Sequence, residues 1–99
     1  MKPEELEQYR QKERQEKINA KTLMLNKAFA LMKAAESSNV AQMGYDEENR
    51  ELFVHYTNKS IYVYYNVIPL VYQKLINAES LGKELAGLVK KVCPYERLK

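Results

Sequence analysis

Few side chains in this 99-residue chain could do covalent or acid–base chemistry. There is one histidine, His55, and one cysteine, Cys93. A general base needs a partner that orients it and a cleft that receives a substrate. His55 stands between Val54 and Tyr56 in a strand-like run, where a packed or half-exposed structural histidine is expected. Cys93 and His55 could in principle form an activated nucleophile, but nothing in their spacing supports it, and an inert, buried thiol is the expectation. One histidine and one cysteine fall short of a zinc ligand set. The acidic run Asp46-Glu47-Glu48 lacks the spacing of a calcium loop and reads as a solvated turn. The chain is therefore expected to bind rather than catalyse, with no metal and no cofactor.

Binding chemistry is better represented. Ser80-Leu81-Gly82-Lys83 opens a helical pattern. A helix start offers free backbone N–H groups and the positive end of the dipole. Ser80 adds a hydroxyl, Gly82 lets an anion approach, and Lys83 adds charge, which together suit a phosphate. The run is too short for a Walker loop, and plain N-capping by Ser80 with a packing glycine remains the other reading. Lys90, Lys91 and Arg97 could converge on the same face. Eight tyrosines and no tryptophan form the second feature. Tyr62, Tyr64 and Tyr65 cluster on one strand, and tyrosine offers a stacking face plus a hydroxyl to a nucleobase. Core packing for at least two of the three is the competing expectation. The candidate ligand residues are Ser80, Gly82, Lys83 and Asn39 near the helix start. Tyr62, Tyr64, Tyr95, Lys90 and Arg97 complete the set.

These residues need elements to hold them. Residues 4–36 contain no glycine and read as one helix, with Pro3 where a helix can start and glutamates in its first turn. From Ile18 the apolar positions Ile18, Thr22, Leu25, Phe29 and Met32 form a helical stripe. A second stripe, Met24, Ala28, Leu31 and Ala35, lies beside it, and Leu23 widens the surface. Such a helix, about 45 Å long, would outreach the remaining ~60 residues. Either its apolar half completes the core and the rest frays, or the double stripe joins subunits; the second is preferred, because one small sheet cannot cover two stripes.

Ser37-Ser38-Asn39 reads as the helix end. Val40–Tyr45, Glu51–Tyr56 and Ser60–Tyr65 read as three strands, the last two joined by the turn Thr57-Asn58-Lys59. Leu52, Val54 and Tyr56 face one way and Phe53 and His55 the other. Tyr62 and Tyr64 likewise oppose Ile61, Val63 and Tyr65. A hairpin apolar on both faces must be covered twice, by C-terminal helix on one side and by the N-terminal helix or a second subunit on the other. Two helices follow, Pro69–Asn77 and Leu81–Lys91, and Pro94 stops the second. The expected fold is α+β: a long N-terminal helix over residues 1–36, then a module over 37–99 with a three-stranded antiparallel sheet and two C-terminal helices.

Composition bounds the rest. The net charge is +3. Residues 80–99 are the most basic stretch, with five basic and two acidic side chains, which favours an anionic partner at that end. A solvated basic tail is the alternative. No apolar run approaches the ~20 residues that cross a bilayer, and Met1-Lys2-Pro3-Glu4-Glu5 is unlike a signal peptide. With a single cysteine, a reducing cytoplasm is the expected location.

Ser37 to Leu98 resembles the KTSC family, small domains named after an appendage at the C-terminus of some lysyl-tRNA synthetases. The landmarks come in order: Ser37-Ser38-Asn39-Val40, Gly44-Tyr45-Asp46, Leu52 and Val54, Tyr62 and Tyr64, and Val71-Tyr72. Ala78, Ser80, Gly82 and Lys83 follow, and Pro94-Tyr95-Glu96-Arg97-Leu98 closes. There are departures. Proline comes one place late in Val67-Ile68-Pro69. Glu84, Leu85 and Ala86 replace an aromatic and an asparagine, and Cys93 replaces an aromatic. The family occurs as stand-alone proteins, often in phages, and fused to nucleic-acid enzymes, which implies nucleotide or RNA binding by analogy.

Three functions follow as expectations. The first is an oligomeric, non-enzymatic protein that sequesters a phosphate-bearing ligand, a small or cyclic nucleotide, in a bacterial or phage-infected host cell. The second is an accessory domain for RNA or single-stranded nucleic acid. The third is a protein-interaction module that works through its N-terminal helix.

Overall fold

The computed structural model describes residues 2–99, apart from the side chains of residues 13–18. Helix α1 (Pro3–Leu31) begins with proline at its start and Glu4 and Glu5 in its first turn, where a carboxylate favours the dipole. It ends five residues before the expected point. Met32 is already extended, at φ −70° and ψ 138°, and Lys33–Ala34 form a short strand, β1. The reason is tertiary. The end of α1 lies against Gly44 of strand β2 (Val40–Asp46) so closely that a Cβ there would stand 2.7 Å from the Leu31 carbonyl carbon and the Met32 nitrogen. From that point the chain pairs with β2, Lys33 opposite Met43 and Ala34 opposite Gln42. Ser37-Ser38-Asn39 is therefore a hairpin turn and not a helix end. The Ser37 hydroxyl accepts from the Asn39 and Val40 N–H groups, each at 3.3 Å.

Strands β3 (Glu51–Tyr56) and β4 (Ile61–Tyr64) form the expected hairpin. In its turn Lys59 takes a left-handed φ of 76°, and its N–H bonds the Tyr56 carbonyl at 2.9 Å. The expected tail is a fifth strand, β5 (Tyr95–Arg97), antiparallel to β4. The Pro94 carbonyl anchors it by accepting the Tyr65 N–H at 2.8 Å. The sheet is thus five-stranded, not three-stranded, and runs β1-β2-β3-β4-β5 with every pair antiparallel.

Helix α2 (Pro69–Ile76) is close to its expected span. The next helix is not uniform: α3 (Leu81–Leu85) passes into a π-helical turn over Ala86–Lys90. Pro94 follows after a short turn in which the Val92 and Cys93 N–H groups bond the Val89 carbonyl.

Both faces of the sheet are covered. On one, Leu52, Val54, Tyr56 and Tyr64 pack with Leu75 of α2, Leu85 of α3 and Val89 of the π turn. On the other, Phe53, Ile61 and Val63 pack with Ala28 and Met32, flanked by Met24, Leu25, Leu31 and Tyr65. The face that α1 buries is thus Met24, Ala28 and Leu31 with Leu25 and Met32. Phe29 is left 53% and Leu23 69% exposed, and Ile18, first in the expected stripe, is outside the described side chains. Lys27 ties α1 down by ion pairs to Asp46, at 2.5 Å, and Glu51, at 2.6 Å, which are cross-strand partners. The Lys27 and Asn49 bonds hold the Asp46 carboxyl at about 2, below its ordinary 3.8, and the same contacts raise the Lys27 ammonium.

Candidate functional site

Strand alternation puts Tyr56 of β3, Tyr62 and Tyr64 of β4, and Tyr95 and Arg97 of β5 on one face of the sheet. Register sets Tyr62 beside Arg97 and Tyr64 beside Tyr95. The C-terminal helices pack on this face over Leu52, Val54, Tyr56 and Tyr64, while Tyr62 is half-buried and Tyr95 and Arg97 are exposed. The result is a cleft of about 340 Å³ lined by Tyr56, Tyr62, Tyr64, Tyr95, Asn58, Ser60 and Lys90.

The rings make an aromatic wall. Tyr62 stacks on Tyr64 with centroids 6.2 Å apart, meets Tyr56 edge-on at 5.7 Å, and tilts against Tyr95 at 5.9 Å. The π turn carries Lys90 above it, Nζ 4.6 Å from the Tyr56 ring centre, within cation–π range. The Arg97 guanidinium lies 6.0 Å from the Tyr62 ring. At the floor the Tyr56 and Tyr64 hydroxyls share a 2.6 Å hydrogen bond. Burial, then that bond, raises the Tyr56 phenol, and burial raises Tyr64, so both stay neutral well past physiological pH. Tyr95 is 62% exposed at the rim, where an incoming flat ring could lie on it. Aromatic faces beside cations suit a base carrying phosphate.

The other expected residues form a separate place. Ser80, Gly82, Lys83 and Asn39 line a cavity of about 530 Å³ together with Glu36 and Glu79. Gly82 allows close approach to Asn39: a Cβ there would meet the Asn39 amide nitrogen at 3.3 Å. Ser80 does not cap α3 with its side chain, contrary to the capping reading; its carbonyl takes the first helical bond, from the Glu84 N–H at 3.1 Å. Two carboxylates beside one lysine make this a poorer anion site than the sequence suggests. The nine expected ligand residues thus divide into two groups.

His55 and Cys93 are not brought together. His55 faces Gln42, its Nδ1 3.2 Å from the Gln42 Oε1. Cys93 packs against the cluster on the other sheet face, where burial pushes its thiol up. Among the described residues no group of three or more His, Cys, Asp or Glu could hold a metal ion, and no helix is long and apolar enough to cross a membrane.

Sequence reasoning missed Tyr56, Asn58 and Ser60 as cleft residues. The parity of Tyr56 with Val54 across the hairpin carried that signal. Asn58 and Ser60 depend on how the turn folds, which residue type alone does not specify.

A sheet covered by helices on both faces, with an aromatic cleft at one edge, defines a small α+β domain. The KTSC domain profile matches residues 36–91, and the chain belongs to that family. A protein of Tsukamurella paurometabola is 39% identical over 59 residues, covering 60% of this chain and 88% of its own length. A lysine–tRNA ligase of Nostoc punctiforme is 32% identical over 71 residues, 72% of this chain but only 12% of the ligase. The crystal structure of a KTSC domain protein from Yersinia pestis superposes with a TM-score of 0.64 at 26% identity, covering 67% of this chain and 93% of that one.

Proposed function

We propose that the protein captures a small or cyclic nucleotide in the tyrosine cleft and holds it without turning it over. The observation that carries this is the joining of four tyrosine rings with Lys90 around one opening of about 340 Å³. That volume sits at the small end of the range for small-molecule sites and suits one base with its sugar. The rings would stack the base, and Lys90 and Arg97 would receive the phosphate. Calorimetry with a panel of mononucleotides and cyclic nucleotides tests it. Binding tighter than about 100 μM by at least one member is expected, against the roughly −4 kcal/mol of a millimolar ligand. A panel without heat overturns it.

One observation favours a second reading. Tyr95 and Arg97 lie exposed on an edge strand, so a single strand of RNA could run past the cleft, and the similarity to a lysine–tRNA ligase agrees with that. Affinity for a short oligonucleotide should then fall steeply with salt, whereas a single nucleotide held mainly by stacking should respond weakly.

The exposed Leu23 and Phe29 of α1 support assembly with a second copy through that helix.

A further inference from the structure

The cleft contains a polar group with no assigned role, the side-chain amide of Asn58. Its Oδ1 accepts twice from Ser60, from the backbone N–H at 3.0 Å and the hydroxyl at 2.5 Å. A backbone N–H can only donate, so the atom facing it must be the amide oxygen, and the orientation of the amide is fixed. Ser60 is 5% exposed and Asn58 is exposed, so these bonds are half-buried. The Asn58 Nδ2 group is what remains for a ligand, and among the described residues it donates to no protein acceptor. Lys90 is also a donor only. The Tyr56–Tyr64 hydroxyl pair spends one O–H on its internal bond and keeps one to offer. The polar groups of the cleft are therefore weighted toward donors.

Resting on the nucleotide reading of this same cleft, we infer that Asn58 selects the base, favouring one that presents a carbonyl oxygen over one that presents an amino group. A keto oxygen, as in hypoxanthine, guanine or uracil, would accept from Nδ2. An exocyclic amine, as in adenine or cytosine, would set donor against donor and leave both unpaired.

The test uses two matched pairs that differ at that position, inosine against adenosine 5′-monophosphate and uridine against cytidine 5′-monophosphate. Each is titrated into the full chain and into Asn58→Asp. The aspartate can keep accepting from Ser60 with one oxygen and turns an acceptor toward the ligand in place of the donor. Thermal unfolding of both proteins confirms that the hairpin is intact. The wild type should bind each keto member at least about fivefold tighter than its amino partner, and Asn58→Asp should abolish or invert that preference. Equal binding within both pairs, or a preference that Asn58→Asp leaves unchanged, overturns the role of Asn58 while the nucleotide reading stands. No binding by any of the four to the wild type counts against the nucleotide reading and removes this inference with it.

Discussion

Lys90 and Tyr62 contribute different physical terms to the same cleft, and single substitutions can separate them. Tyr62 is half-buried between Tyr64 and Tyr95, so its ring is the central plane of the aromatic wall. Tyr62→Ala should cost about 1–3 kcal/mol of nucleotide affinity, the usual range for one base–aromatic stack. Tyr62→Phe, which keeps the face, should cost little. Calorimetry on the pair distinguishes stacking from a hydroxyl contact. Lys90 acts through charge and through its place over Tyr56. Lys90→Gln should weaken a nucleoside monophosphate but leave the parent nucleoside nearly unaffected, and equal losses for both would remove the phosphate from this side of the cleft. Residue type made these two positions readable in the sequence, since tyrosines on one strand face and lysines at a helix end are visible there. Asn58 was not readable, because its value comes from which end of its amide is spent on Ser60.

Two elements depend on one contact, that of α1 with β2. Residues Met32 to Glu36 contain no helix breaker, so nothing local explains why α1 stops at Leu31. The stop is imposed by Gly44, eight residues beyond the last expected helical position, and only the folded sheet brings it there. The edge strands β1 and β5 were hidden for a related reason: they are two and three residues long and wholly exposed, so neither shows an alternation of apolar and polar residues. Strand β3 has six residues, apolar on both faces between two turns, and its limits agree with the sequence reading. Gly44→Ala should therefore destabilise the fold by about 1–3 kcal/mol, the cost of forcing a methyl into a packed contact, with a lower melting temperature. Nucleotide binding by the folded fraction should persist, since the cleft is on the other sheet face. Acid should loosen the same junction. The depressed Asp46 carboxyl contributes stability in full above its ordinary 3.8 and loses it as pH falls through about 2. Lys27→Met, which removes the first cause of the depression and leaves the Asn49 bonds, should reduce the slope of the stability profile across that window when unfolding is followed by circular dichroism.

The whole molecule is 59 Å long and only about 23 Å across, because the 29-residue α1 runs some 44 Å at 1.5 Å per residue while only its last turns rest on the sheet. Burial of Met24, Ala28 and Met32 accounts for one face. It leaves Leu23 and Phe29 exposed on either side of that face, about 120° apart around the helix. A second α1 is the simplest cover, since the same helix then satisfies both copies. Sedimentation velocity should find the wild type associated at about 100 μM, an affinity of only some −5 kcal/mol. The double substitution Leu23→Lys and Phe29→Lys should leave a monomer with the same circular dichroism. A wild type that is already monomeric at that concentration would end the assembly reading. Ligand binding in the monomeric variant then decides how assembly relates to capture. All the cleft residues come from one sheet face, the β3–β4 turn and the π turn of a single chain, so nucleotide affinity should survive the loss of the partner. If it disappears instead, the second copy must complete the site from its own α1.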